Sequence, residues 1–260
     1  MFVDNIDAMA MAANTKASHL NRSGTSYLVS AILAGTYIGI GIVLIFSLGA
    51  PLAASGSAFV RLVMASAFGV ALTLVVFAGG ELFTSNNMIM TLGVARKKVP
   101  LSGLLKVWTF SWSGNLLGSL LLAFLVVTSG ALAHAGGFIE KVATAKMTMP
   151  PLQMFLRGIL CNWLVCLALW SSARTSNDAA KCIVIFWCLF AFIACGYEHS
   201  VANMTLLGMA LFSPHGLGVS WMGFGTNLLF VTLGNIVGGA LFVAGMYWLT
   251  THKEKPGLNV

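Results

Sequence analysis

Charge is what this 260-residue sequence has least of: Asp and Glu together number 7, Lys and Arg 14, and charged residues make up 8%. A soluble domain carries about a quarter. Also missing are a CxxC pair, an HExxH motif, a second histidine inside an apolar run, and the roughly ten-residue alternating segments of a membrane barrel. Each absence removes a class. Without clustered Cys and His there is no metal or haem site to expect, and no cofactor. Without a nucleophile motif a membrane enzyme has little to work with. The N-terminal "MFVDNIDAMAMAANTKASHLNRS" lacks an apolar core with a cleavage site and does not read as a signal peptide. Ile6, Met9 and Ala13 instead predict a short surface helix.

What is present is apolar. Hydrophobic residues reach 58%, with mean hydropathy +0.90. Uncharged runs at 23–60, 107–133 and 216–251 exceed the roughly 20 residues a helix needs to cross a bilayer. Six spans are expected, near 27–49, 60–95, 105–129, 151–172, 181–213 and 226–249. The fold class is therefore an all-α polytopic membrane protein. A cytoplasmic segment at 1–25 and a tail at 251–260 flank a channel-sized body at 26–250. The five cysteines, Cys161, Cys166, Cys182, Cys188 and Cys195, lie in apolar runs and are expected to act as small hydrophobes.

The net charge of +7 follows membrane topology. With the N-terminus inside, Lys16, Arg22, Arg96, Lys97, Lys98, Lys106, Arg174, Lys181, Lys253 and Lys255 fall on the cytoplasmic side. Arg61, Lys141 and Lys146 fall outside, and Arg157 sits near the start of a span. That bias is the positive-inside pattern, not a nucleic-acid patch.

Two spans are too long. A straight helix of about 34 residues stretches roughly 51 Å, against a hydrocarbon core of about 30 Å. The first long span contains "AGGELFTSNNM" and the second "ACGYEHSVANM". Each offers glycine, a glutamate (Glu81, Glu198), hydroxyls and an Asn-Met pair, aligned as Asn87-Met88 with Asn203-Met204. Glycine permits a non-helical turn, and small polar side chains satisfy the freed backbone. Glu81 and Glu198 are expected to hold the breaks by accepting backbone N–H bonds. "GNLLG" at 114–118 and "GNIVG" at 234–238 follow the two breaks, and both suit close helix contact. Two three-span halves make an inverted repeat with two broken helices, an arrangement that points to a transport site.

"GGELFTSNNM", "CNWLVCLALW" and "GYEHSVANM", in this order, resemble the formate/nitrite transporter family. "GTYIGIGIVLIF" adds a likeness to its nitrite-channel branch. The resemblance implies homopentamers of six-helix, aquaporin-like protomers with one pore each, in a bacterial cytoplasmic membrane with both termini inside. It implies a central pore histidine at His199, with Thr84 hydrogen-bonded to it and Asn162 lining the same chamber. Phe68 and Phe192 match an outer constriction, and Leu72, Leu82, Phe83 and Val165 an inner one. Lys146, in an outer loop, matches a lysine that draws in anions. The choice of nitrite over formate or hydrosulfide rests on this wording alone.

Rings of Phe, Leu and Val exclude water but offer nothing to a charge. A weak-acid anion is eased through such a slit by protonation. His199 suits either of two roles: exchanging a proton with the substrate, or staying neutral and holding it by hydrogen bonds. The residues leave both open.

Overall fold

The computed structural model describes residues 2–251. The expected tail at 251–260, with Lys253 and Lys255, lies outside the described residues save for Thr251. The chain forms α1 (Val3–Arg22), α2 (Gly24–Ala54), α3 (Val60–Ala67), α4 (Gly69–Leu74) with a π-helical turn at Val75–Gly79, and α5 (Phe83–Ala95). Then come α6 (Leu101–Ser129), a short turn at Ala133–Ala135, α7 (Gly136–Met147), α8 (Pro151–Ser172), α9 (Asp178–Cys195) and α10 (Ser200–Phe212). Last are α11 (Trp221–Val237), a π-helical segment at Gly238–Gly245 and α12 (Met246–Thr251).

Among the described residues, six helical stretches are long and apolar enough to cross a membrane: Gly24–Ala54, Val60–Gly79, Leu101–Ser129, Pro151–Ser172, Asp178–Cys195 and Trp221–Thr251. Helices α5 and α10 have 13 residues each. At 1.5 Å per residue they reach about 20 Å and cannot cross alone. Each completes the crossing begun by the helix before it, so both expected breaks are present.

The breaks form because glycine ends the incoming helix. Gly79 and Gly196 take φ +85 and +70, a left-handed turn that costs other residues more. The chain then runs extended through Leu82 in one case and His199 in the other before α5 and α10 start.

The element order repeats: a short amphipathic helix, a long span, a broken span, a long span. Three crossings per half place the second half upside down relative to the first. The helices α6 and α11, which carry the two Gly-Asn motifs, lie hard against α2 and α8. A Cβ on Gly118 would strike the Ile32 carbonyl, and one on Gly238 the Ile159 carbonyl. Such backbone contact is what the small-residue pattern is for.

Helix α1 is more than a surface appendage. Ile6, Met9 and Ala13 are buried in a core shared with Met88, Leu92 and Trp170. Cys161 and Cys166 fill core positions as expected, whereas Cys195 is exposed.

Candidate functional site

Unwinding a helix in an apolar interior leaves backbone N–H and C=O groups to be satisfied. Two asparagines do this. Asn115 accepts from the Phe83 N–H (2.8 Å) and donates to the carbonyls of Ala31 (2.7 Å) and Glu81 (3.0 Å). Asn235 accepts from the Ser200 N–H (2.9 Å) and donates to the carbonyls of Gly158 (2.8 Å) and Glu198 (3.0 Å). The Glu81 and Glu198 N–H groups donate in turn to the Ser30 and Arg157 carbonyls. An amide both donates and accepts, so one side chain serves both needs. The only trace of this role in the sequence was the asparagine after the first glycine of each motif.

The carboxylates do something other than expected. Glu81 accepts from Lys16 Nζ (2.7 Å), Tyr27 Oη (2.8 Å) and Asn86 Nδ2 (3.3 Å). Glu198 accepts from Lys146 Nζ and Asn203 Nδ2, both at 2.7 Å. Their partners are side chains, not backbone N–H groups, because the asparagines already hold the backbone. The register is also corrected by one residue. Asn86, not Asn87, is the counterpart of Asn203, since each reaches back to the glutamate five positions earlier. Asn87 instead accepts from Asn162 Nδ2 at 3.1 Å. Lys146 lies in helix α7 rather than in a loop.

In this register Leu82 corresponds to His199. Leu82 starts α5 with no side-chain cap. His199 caps α10: its Nδ1 accepts from the Ala202 N–H at 3.1 Å. An imidazole nitrogen that accepts carries no proton, so the neutral ring holds its proton on Nε2. Nε2 lies 3.0 Å from Thr84 Oγ1, and both residues are buried. Thr84 is the second residue of α5. The N-termini of the two short helices therefore meet at this pair, and both carry partial positive charge.

Asn162 stands behind Thr84. Its Nδ2 is within hydrogen-bond reach of the Thr84 carbonyl (3.1 Å), Asn87 Oδ1 (3.1 Å) and the Asn235 carbonyl (2.6 Å). These bonds tie α8 to α5 and α11.

A vestibule of about 140 Å³ reaches His199 past Phe46, Lys146, Phe192, Tyr197 and Asn203. His199 and Phe192 also line a second void of only about 10 Å³, walled by Phe68, Leu72, Leu82 and Val165 as well. That is room for about one water. The Phe68 and Phe192 rings meet edge to face at 5.4 Å. The structure thus brings five of the expected constriction residues around one closed point next to His199. Phe83 is not on this void; its ring lies edge-on to Trp108 at 6.5 Å, in a lateral groove with Trp112 and Thr232. A separate cavity of about 360 Å³ opens near Leu132, Glu140 and Pro214 and touches neither break. Its carboxylate is already bonded to the Gly216 N–H.

Inverted repeats whose broken helices meet at a narrow, apolar-walled point define a membrane channel or transporter. The chain belongs to the formate/nitrite transporter family, whose sequence profile matches residues 4–249. It is 45% identical to the nitrite transporter NirC of Escherichia coli K12, over 97% of this chain and 94% of that one. It is 41% identical to a probable formate transporter of Methanothermobacter thermautotrophicus, over 87% and 89%. Among solved structures, an FNT family ion channel superposes with TM-score 0.91 at 43% identity, covering 96% of this chain and all of that one. A pentameric formate channel with formate bound gives TM-score 0.79 at 30% identity, covering 89% and 99%. The protein is a multi-pass membrane transporter, not an enzyme.

Proposed function

We propose that this chain conducts nitrite, a small monovalent weak-acid anion, through one pore per protomer of a homopentamer. Its home is a bacterial cytoplasmic membrane with both termini inside. The observation that carries the reading is His199, bonded to Thr84 and lining both the vestibule and an apolar void of about 10 Å³. Nitrite is favoured by the 45% identity to relatives named for it, and the pentamer by the likeness to a pentameric channel.

A bare anion entering that void would lose its water shell without replacement, at a cost of many kcal/mol. The same low dielectric favours the protonated, neutral acid. His199 meets the substrate with its Nε2–H, exchanging the Thr84 hydroxyl for a substrate oxygen. With Nδ1 engaged as a helix cap, His199 acts as a hydrogen-bond donor. To give up a proton and remain a neutral ring it would first have to take one at Nδ1, breaking the cap on α10. Thr84 and Asn162 hold the donor's position, and Phe68, Phe192, Leu72, Leu82 and Val165 exclude water.

The test is flux into proteoliposomes of nitrite, formate and nitrate, with internal pH followed at the same time. Nitrite and formate entering with protons, and nitrate excluded, is the expected result. Nitrate passing with a net current would replace the neutral-acid mechanism by that of an anion channel without proton coupling. Faster nitrite than formate places the protein in the nitrite branch.

A further inference from the structure

The vestibule leading to His199 has a charge problem. Its own lysine, Lys146, is neutralised at 2.7 Å by Glu198, so the pair contributes little net field. Helix α9 also ends at this wall, and a helix C-terminus carries partial negative charge. The turn after it satisfies two carbonyls: Gly196 N–H donates to Ile193 and Tyr197 N–H to Phe192. The next carbonyl, Ala194, is met by Arg61 Nη1 at 3.5 Å. Two neighbours of that carbonyl, Ile193 and Gly196, line the vestibule, as does Met64, one turn beyond Arg61 on α3. Arg61 is therefore at the rim. It is exposed, and it has no carboxylate within ion-pair distance among the described residues.

We propose that Arg61 is the anion-collecting cation of this pore, offsetting the negative end of α9 and supplying the net positive charge that the Lys146–Glu198 pair does not. This deepens the transport reading and rests on it. An arginine suits the place: it stays charged, its fork can hold a carbonyl with one N–H, and the others stay free for an incoming anion. Anchoring to Ala194 keeps the charge at the mouth, where it raises local anion concentration. Arg61 is a positioning residue for encounter and does not touch the substrate at His199.

The experiment is initial nitrite flux against concentration in proteoliposomes of the full chain, with Arg61→Gln, Arg61→Glu and Arg61→Lys, at low and high ionic strength. At about 0.01 M salt the Debye length is about 30 Å, and at 1 M about 3 Å. At low salt, half-saturation is expected to rise about 3-fold in R61Q and about 10-fold in R61E. R61K should stay within 2-fold of the parent, and maximal flux should be unchanged in all. At 1 M salt the three should converge on the parent. A purely structural arginine would lower maximal flux without this salt dependence, and that pattern overturns the proposal. Parental half-saturation in R61Q and R61E at low salt overturns it while leaving the transport reading intact. Absence of nitrite and formate flux in the parent sinks both.

Discussion

The two breaks are built alike and differ where it counts. Each has a left-handed glycine, a glutamate paired to a lysine of a preceding amphipathic helix, and an asparagine five residues on. Each also has a second asparagine, from the following span, that cradles the backbone. Lys16 and Glu81 in one half match Lys146 and Glu198 in the other, both at 2.7 Å. Then the halves part. Leu82 in the first break is His199 in the second. Ala31 and Gly158 accept the matching amide bonds, so Gly35 on α2 corresponds to Asn162 on α8. At Gly35 a Cβ would strike the Asn115 carbonyl; at Asn162 the side chain donates to the Asn235 carbonyl. What the halves share supports the fold, and what they do not share gathers at one polar point. Duplication supplies a scaffold, and the chemistry comes from departures from it.

The comparison is broken most severely at the cradles. Asn115→Ala and Asn235→Ala each remove the partner of one N–H and one carbonyl in the unwound chain (Phe83 and Glu81, Ser200 and Glu198), at about 1–3 kcal/mol apiece. Both variants are expected to lose most of the assembled protein, and to the same degree, in gel filtration and thermal unfolding of detergent-solubilised samples. A mild Asn115→Ala beside a severe Asn235→Ala would mean the two cradles are not equivalent.

The ion pairs come next. Glu198 is 3% exposed and Glu81 14%, while their lysines are about equally exposed at 18% and 17%, so the two pairs differ at the carboxylate end. Breaking a buried pair costs about 3–5 kcal/mol, and less as water reaches the carboxylate. Thermal unfolding should rank Glu198→Ala below Glu81→Ala, and the double variant Lys146→Ala/Glu198→Ala should recover part of the loss. No recovery would count against the pair as the reason for the damage.

His199 is expected to matter little for stability and a great deal for flux. His199→Phe removes the cap on α10, about 1 kcal/mol, while His199→Asn retains a capping oxygen. Both should assemble. His199→Phe should lose nitrite flux at least about 10-fold, the equivalent of about 1.4 kcal/mol in the barrier. Unchanged, pH-dependent flux in His199→Phe would remove the histidine from the mechanism.

The smallest change is at the hydroxyl. Thr84→Ser keeps the partner of Nε2, and Thr84→Val removes it, at about 1 kcal/mol or less net. Flux in Thr84→Val should fall by a few-fold, with Thr84→Ser close to the parent. Equal behaviour of the two would show that the hydroxyl does not hold the ring.

The spans and both breaks were legible because hydrophobic length and the scarcity of charge are properties of the chain itself. His199 was legible because a histidine in an apolar run is costly and therefore noticeable, whereas Thr84 came only from the family resemblance. The register of the repeat was not. "SNNM" offers two asparagines to pair with the one in "VANM", and composition does not say which reaches the glutamate. The cradle asparagines passed as part of a packing motif, since their partners are carbonyls up to 84 residues away.

Thus the sequence by itself determined that the chain crosses a membrane six times, that two crossings break, and that the breaks carry polar groups. Bilayer thickness and backbone hydrogen bonding leave no alternative to that. Only the tertiary structure decided which nitrogen of His199 holds the proton, that Glu81 and Glu198 answer to lysines, and that Asn115 and Asn235 hold the unwound chain. It also placed Phe83 away from the closed point. Those are matters of a few tenths of a nanometre between residues far apart in the chain, and hydrogen bonds are decided at that distance.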